Sequence, residues 1–182
     1  MVGRTSGAFG RECGKSLRVV SRKDVTPVHR QLLARHGVTA YIGGMLASHE
    51  IEIRVRYQET DGQGRVHHAN YLTWFELGRV ELLRAMGHSY RELEAAGVML
   101  VVAEMNVRYF LPAVFDDVLT LRTSTHKAKG ARIEHEYKIL RGPDLLAQAT
   151  STVACIDRAG RVARLPKWLT SDTNDKPSIA DS

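Results

Sequence analysis

The chain has 182 residues, of which 43% are hydrophobic and 25% charged, with a formal net charge of +6. That length and balance suit one soluble globular domain with a sizeable core. No apolar run approaches the roughly 18 residues of a membrane span, and no apolar core with a small-residue cleavage site follows the basic N-terminus, so neither a span nor a secretory signal is expected.

The charge surplus is local. Residues 1–44 carry eight basic residues against two acidic, while the remainder holds 18 of each sign. The basic character sits in a leader, and no zinc-finger or RNP-like pattern accompanies it, so nucleic acid is not an expected partner. Cys13 and Cys155 are too far apart for a disulfide framework or a zinc knuckle, which points to a reducing, cytoplasmic protein. Cys155, within the alternating stretch TSTVACID, reads as core filling.

In chain order, residues 1–44 form a basic N-terminal extension with weak periodicity. Within it VHRQLLARHG, residues 28–37, reads as a short helix stopped by Gly37. The domain proper is expected over 45–169. From Glu50 the chain alternates, with Ile51, Ile53, Val55 and Tyr57 on one side and Glu52, Arg54 and Arg56 on the other, which is a half-solvated strand. GQG in residues 60–65 breaks it. Asn70 is a plausible helix cap. YLTWFELGRVELLRAMG then places apolar residues on more than one helix face, so a long buried helix is expected, stopped at Gly87. Ser89 and Glu92 have capping-box spacing ahead of a short helix.

Four strands follow, over 98–110, 117–128, 131–140 and 146–157. Lys129-Gly130 suits a tight hairpin turn, and Gly142-Pro143-Asp144 a slightly longer one. Residues 170–182 are a polar C-terminal tail that frays. Short turns imply antiparallel pairing, so the order predicts an α+β domain with a sheet around one long helix. The edge or the outer face of such a sheet is expected to meet a partner, giving an oligomer.

The chemistry concentrates in ETDGQGRVHHANY, residues 59–71. On an extended stretch Glu59 and Asp61 share a face. The glycines at 62 and 64 let the chain reverse tightly. His67 and His68 stand at the helix entrance, where unpaired N–H groups point outward. A thioester carbonyl oxygen at that N-terminus would meet backbone donors for the oxyanion. A loop carboxylate would attack the carbonyl or deprotonate a water that does. Thiolates leave readily, so no strong acid is required.

Other readings of the same residues stand beside this one. Asp-Gly is an ordinary turn former. Glu59, Asp61, His67 and His68 could hold a metal, but the spacing fits no zinc signature, and adjacent histidines usually point different ways. Glu76 and Arg79 form a supporting ion pair on the helix, or Glu76 joins the site. Lys127, Lys129 and Arg132 are a solvated hairpin tip, or contacts for the phosphates of a carrier such as coenzyme A. No nucleophile elbow, P-loop or Rossmann fingerprint is present. Ser48, Ser89 and Ser124 each have a histidine within two residues, which is no sign of a triad.

VRYQETDGQGRVHHANYLTWFELGRVELLR, continuing through VVAEMNVRYFLPAVFDDVLTLRT to LPKWL, resembles the hotdog-fold acyl-CoA thioesterases of the 4-hydroxybenzoyl-CoA thioesterase and YbgC-like branch. The resemblance spans roughly residues 50–169. It implies a five-stranded antiparallel sheet around a long central helix, homodimers or homotetramers, and active sites at the dimer interface. It implies hydrolysis of an acyl-CoA to a free acid and coenzyme A, with no cofactor or metal. The family's carboxylate falls on Asp61, and its oxyanion-binding N–H on His68. Gly64, Asn70-Tyr71, Glu76 and Arg79 match supporting positions. The family's usual aromatic before the histidine is here His67, which alters the expected acyl pocket wall.

Two further function classes fit the sequence. A hotdog hydratase or dehydratase would use His68 with Glu76 around the α and β carbons of a thioester. A non-catalytic acyl-CoA or protein-binding module would bind without turnover. An acyl-carrier protein is a further possible substrate carrier.

Overall fold

The computed structural model describes residues 41–42, 45–46 and 48–170. Cys13 and the expected helix at 28–37 lie outside them, as does the tail beyond Thr170. Two short strands, β1 (Tyr41–Ile42) and β2 (Met45–Leu46), pair with each other. The main sheet holds β3 (Ser48–Arg54), β4 (Met99–Tyr109), β5 (Val118–Lys129), β6 (Arg132–Arg141) and β7 (Asp144–Ile156) in the order β3-β5-β6-β7-β4, with every pair antiparallel. Helix α1 (His68–Ala85) lies on one face, and α2 (Tyr90–Ala95) follows it.

The turns follow from local chemistry. Lys129 pairs with Arg132 across Gly130-Ala131, and Arg141 with Asp144 across Gly142-Pro143. Both are therefore two-residue turns, and the second is shorter than its composition suggested. Gly130 at φ 63° and Gly142 at φ 58° supply the left-handed residues that such turns require. Gly87, at φ 85°, ends α1 as expected. The Ser89 hydroxyl accepts from Glu92 N–H, and the Glu92 carboxylate accepts from Ser89 N–H, a complete capping box.

Strand alternation stops earlier than expected. Ile53 and Val55 are buried, but Tyr57 is 77% exposed in a 3-10 turn over Tyr57–Glu59. On β5 the inward side chains Leu119, Leu121, Thr123 and Thr125 give way to Ala128 after an irregularity between Thr125 and Lys127. One extra residue changes the phase of the alternation and bends the strand, which helps the sheet curve over α1.

The helix is not buried all round. Tyr71, Trp74, Phe75, Gly78, Leu82 and Leu83 face the sheet, whereas Leu72 and Leu77 are exposed. Phe75 and Tyr137 are fully buried with ring centroids 4.8 Å apart. A fully buried side chain of Phe size contributes about 1.5–3 kcal/mol. Gly78 sets the approach of helix and sheet. A Cβ there would stand 2.3 Å from Thr123 Oγ1 and 2.9 Å from Leu121 Cδ2. Cys155 is fully buried beside Val153 and Leu165, the core position expected for it.

Candidate active site

The loop between β3 and α1 is fastened before it reaches Asp61. Val55 N–H donates to Asp117 O at 2.9 Å, which ends the strand on the loop ahead of β5. The Glu59 carboxylate then turns inward. Oε2 accepts from Arg56 N–H at 2.8 Å and Oε1 from the Trp74 indole N–H at 3.1 Å. Glu59 is 8% exposed, whereas Asp61 is half-buried. The expectation that the two carboxylates share a face is therefore corrected. The 3-10 turn replaces the extended stretch that the two-residue spacing assumed.

Asp61 sits on a tight turn of its own. Its N–H donates to Arg65 O at 2.8 Å, and its carbonyl accepts from Gly64 N–H at 2.9 Å. Gly64 has φ 71°, a conformation natural to glycine. Oδ1 accepts from Gln63 N–H at 2.8 Å. Oδ2 has no hydrogen-bond partner among the described residues. The turn closes with a Thr60–Val66 bridge, and Val66 N–H donates to Ala113 O at 2.9 Å.

The helix cap lies three residues before Asn70, the cap expected from the sequence. His67 is the N-cap, and its Nδ1 accepts from Ala69 N–H at 3.3 Å. Asn70 lies inside the first turn. Its side chain donates to Glu59 O at 2.7 Å, and its N–H to His67 O at 3.0 Å. Of the first three helix N–H groups, Ala69 and Asn70 are thus engaged. The His68 N–H has no acceptor among the described residues, as expected for the first helical amide. The His67 and His68 rings lie against each other, with centroids 4.2 Å apart, rather than pointing apart. Among the described residues no group of three or more His, Cys, Asp or Glu is gathered to hold a metal ion.

Three residues beyond the loop complete the helix entrance. The Tyr109 hydroxyl donates to His68 O at 3.2 Å. Its ring packs edge-on against Tyr71, whose other neighbour is Trp74, each at a centroid distance of 5.0 Å. Burial raises the pKa of both phenols above the ordinary value, so both remain protonated. Sequence reasoning missed Trp74, Tyr109 and Ala113. Only Trp74 left a signal, because a buried indole N–H requires an acceptor.

The expected Glu76–Arg79 pair is not formed. Arg79 is buried and donates to the Tyr137 hydroxyl at 3.2 Å, while Glu76 is exposed. Glu76 lines an open groove of about 500 Å³ that runs along α1 past Arg56, Glu59, Asn70, Thr73 and Leu77. His68 and Glu76 are eight residues apart, so they stand about 12 Å apart along the axis. Lys127, Lys129 and Arg132 cluster at the β5–β6 hairpin, with Lys127 3.9 Å from Glu134. The hairpin adjoins the C-terminal half of α1, where Ala128 packs with Leu83. Eighteen helical residues span about 27 Å, so these cations stand far from Asp61 of the same chain.

A model of the thioesterase-like superfamily matches residues 55–172. The acyl-CoA thioesterase YbgC of Haemophilus influenzae is 38% identical over 106 residues, 58% of this chain and 78% of that protein. The acyl-CoA thioester hydrolase YbgC of Escherichia coli is 34% identical over 122 residues, 66% of this chain and 91% of that protein. The crystal structure of a probable thioesterase from Bartonella henselae superposes with a TM-score of 0.63 at 38% identity, covering 66% of this chain and all of that one.

Proposed function

This chain belongs to the thioesterase-like superfamily and has its hotdog fold, and from that premise we propose that it hydrolyses an acyl-CoA thioester to a free carboxylic acid and coenzyme A. The observation that carries the reading is the Asp61 turn. It presents a carboxylate with one oxygen uncommitted among the described residues, ahead of a helix whose first amide has no acceptor among them.

In this reading the thioester oxygen accepts from the His68 N–H at the positive end of α1. Either Asp61 attacks the carbonyl carbon itself, giving a mixed anhydride that water later hydrolyses, or it takes a proton from a water whose oxygen forms the new C–O bond. The C–S bond then breaks, and the thiolate leaves with the electron pair. His67 keeps its own ring on Ala69 N–H, so it shapes the helix entrance and leaves the His68 donor open.

The protein is expected to act as a homodimer or a larger homo-oligomer in the cytoplasm. No helix among the described residues is long and apolar enough to cross a membrane. β4 is the outermost strand on its side of the sheet, and Val101, Val102 and Tyr109 on it are exposed, with Phe110 and Leu111 just beyond. A long apolar edge of this kind needs a cover. A second copy along β4 would border the site through Tyr109. Light scattering on the purified chain tests this. Val102→Glu should shift the species toward a monomer, and a monomeric parent would refute the arrangement.

The reaction is tested by thiol release from a panel of acyl-CoAs, acetyl to palmitoyl plus benzoyl, phenylacetyl and 4-hydroxybenzoyl, with matching acyl-carrier-protein thioesters. Asp61→Asn should lower kcat by at least about 10²-fold. A folded parent that turns over none of these substrates would overturn the reading.

A further inference from the structure

We propose that Glu59 is the positioning residue of this site, holding the Asp61 turn in register with the first turn of α1 while taking no part in the bond changes. This rests on the reading above, in which Asp61 and the His68 N–H form the reacting pair.

The two carboxylates of Glu59-Thr60-Asp61 divide the work. Both Glu59 oxygens are occupied, Oε2 by Arg56 N–H and Oε1 by the Trp74 indole. Its carbonyl oxygen accepts twice more, from His67 N–H at 2.9 Å and from the Asn70 amide at 2.7 Å. One residue is thus bonded to the strand exit, the helix cap, the first helical turn and the second. Asp61, by contrast, bonds among the described residues only within its own turn, to Gln63, Gly64 and Arg65. Among the described residues three links connect that turn to the rest of the protein: Val66 N–H to Ala113 O on its far side, and on its near side the Glu59 junction and Thr60, whose N–H and hydroxyl both donate to Tyr57 O.

The junction is stiff because it is buried and fully paired. Glu59 is 8% exposed, and Trp74 2%. Glutamine keeps the shape of glutamate but replaces one acceptor with an N–H₂ group. That group would face a donor, either the buried Trp74 indole or the part-buried Arg56 N–H, and that donor would lose its partner. The turn would then pivot at Thr60 relative to His68. A misplacement of about 1 Å in a catalytic group can cost about 10²-fold in rate.

The test uses the full chain with Glu59→Gln, Trp74→Phe and both together. Three quantities are read: kcat and KM for the best acyl-CoA of the panel across pH, thermal midpoint, and amide hydrogen exchange over residues 60–66. Glu59→Gln should lower kcat about 10²-fold with far less change in KM and an unchanged shape of kcat against pH. Exchange at 60–66 should rise at least about tenfold, while the C-terminal half of α1 keeps its protection. Trp74→Phe, which frees only Oε1, should shift both readouts the same way by less. The double variant should be no worse than Glu59→Gln, because the two residues act as one unit.

Unchanged kcat in Glu59→Gln, or unchanged exchange at 60–66, would overturn the proposal. If Glu59→Gln does not fold, Trp74→Phe decides, and wild-type exchange together with wild-type kcat there refutes the idea. If the parent releases no thiol, the thioesterase reading has failed, and the exchange arm still decides whether Glu59 holds the turn.

Discussion

Arg79 extends from the fourth turn of α1 into the core and donates to the Tyr137 hydroxyl at 3.2 Å, and that hydroxyl in turn shares a 2.8 Å hydrogen bond with Ser151. The guanidinium is buried, and its ion pairs among the described residues include no carboxylate. Neutral hydroxyls therefore solvate it. Tyr137→Phe strips that acceptor from a buried charge and should destabilise by about 1–3 kcal/mol. Arg79→Met removes the charge with its need for solvation, and should cost less than Tyr137→Phe. Urea unfolding of the two variants checks the order.

Gly78 is where helix and sheet come closest. Gly78→Ala gains helix propensity of about 1 kcal/mol, but its methyl would overlap Thr123 Oγ1 and crowd Leu121. Overpacking costs about 1–3 kcal/mol, so a net loss of stability is expected. Thr123→Ala should recover part of it in the double variant. The Thr123 hydroxyl is buried without a hydrogen-bond partner among the described residues, so its removal forfeits none there. A thermal midpoint for Gly78→Ala at or above the parent would contradict this packing.

His135 is buried against β5, with Nδ1 3.2 Å from the Thr125 hydroxyl. Burial, with the Arg79 charge nearby, lowers its pKa from 6.5 to about 3. Between those values the unfolded chain binds a proton there and the folded chain does not. Stability from this group is complete above pH 6.5 and drains away as pH falls toward 3, at up to about 1.4 kcal/mol per unit. His135→Gln should flatten the pH dependence of the urea midpoint in that window. An unaltered slope would show that His135 does not set it.

The two loop glycines separate backbone strain from space. A Cβ at either would meet nothing within 4 Å, but only Gly64 has positive φ. Gly64→Ala should destabilise by about 1 kcal/mol through the left-handed conformation alone. It should also lower kcat by loosening the Asp61 turn. Gly62→Ala should leave both nearly unchanged. Equal effects at the two positions would show that the turn is not held by Gly64.

The sequence by itself determined the elements and the chemistry they carry. Alternation gave five strands, because the period of two is a property of the extended backbone. Ser89 and Glu92 announced their cap, and Gly87 its stop, because those hydrogen bonds close within four residues. ETDGQGRVHHANY declared a polar turn ahead of a helix, and its likeness to a thioesterase motif pointed to Asp61 and His68. Only the tertiary structure decided which donors and acceptors meet. Spacing allowed a Glu76–Arg79 pair and a shared face for Glu59 and Asp61. Burial drew Arg79 to a tyrosine 58 residues away and Glu59 to a tryptophan 15 residues away. Tyr109 reached the carbonyl of His68 across 41 residues. The reason is physical: a polar group that enters the core must bond to whatever the fold packs beside it, and no local pattern names that neighbour.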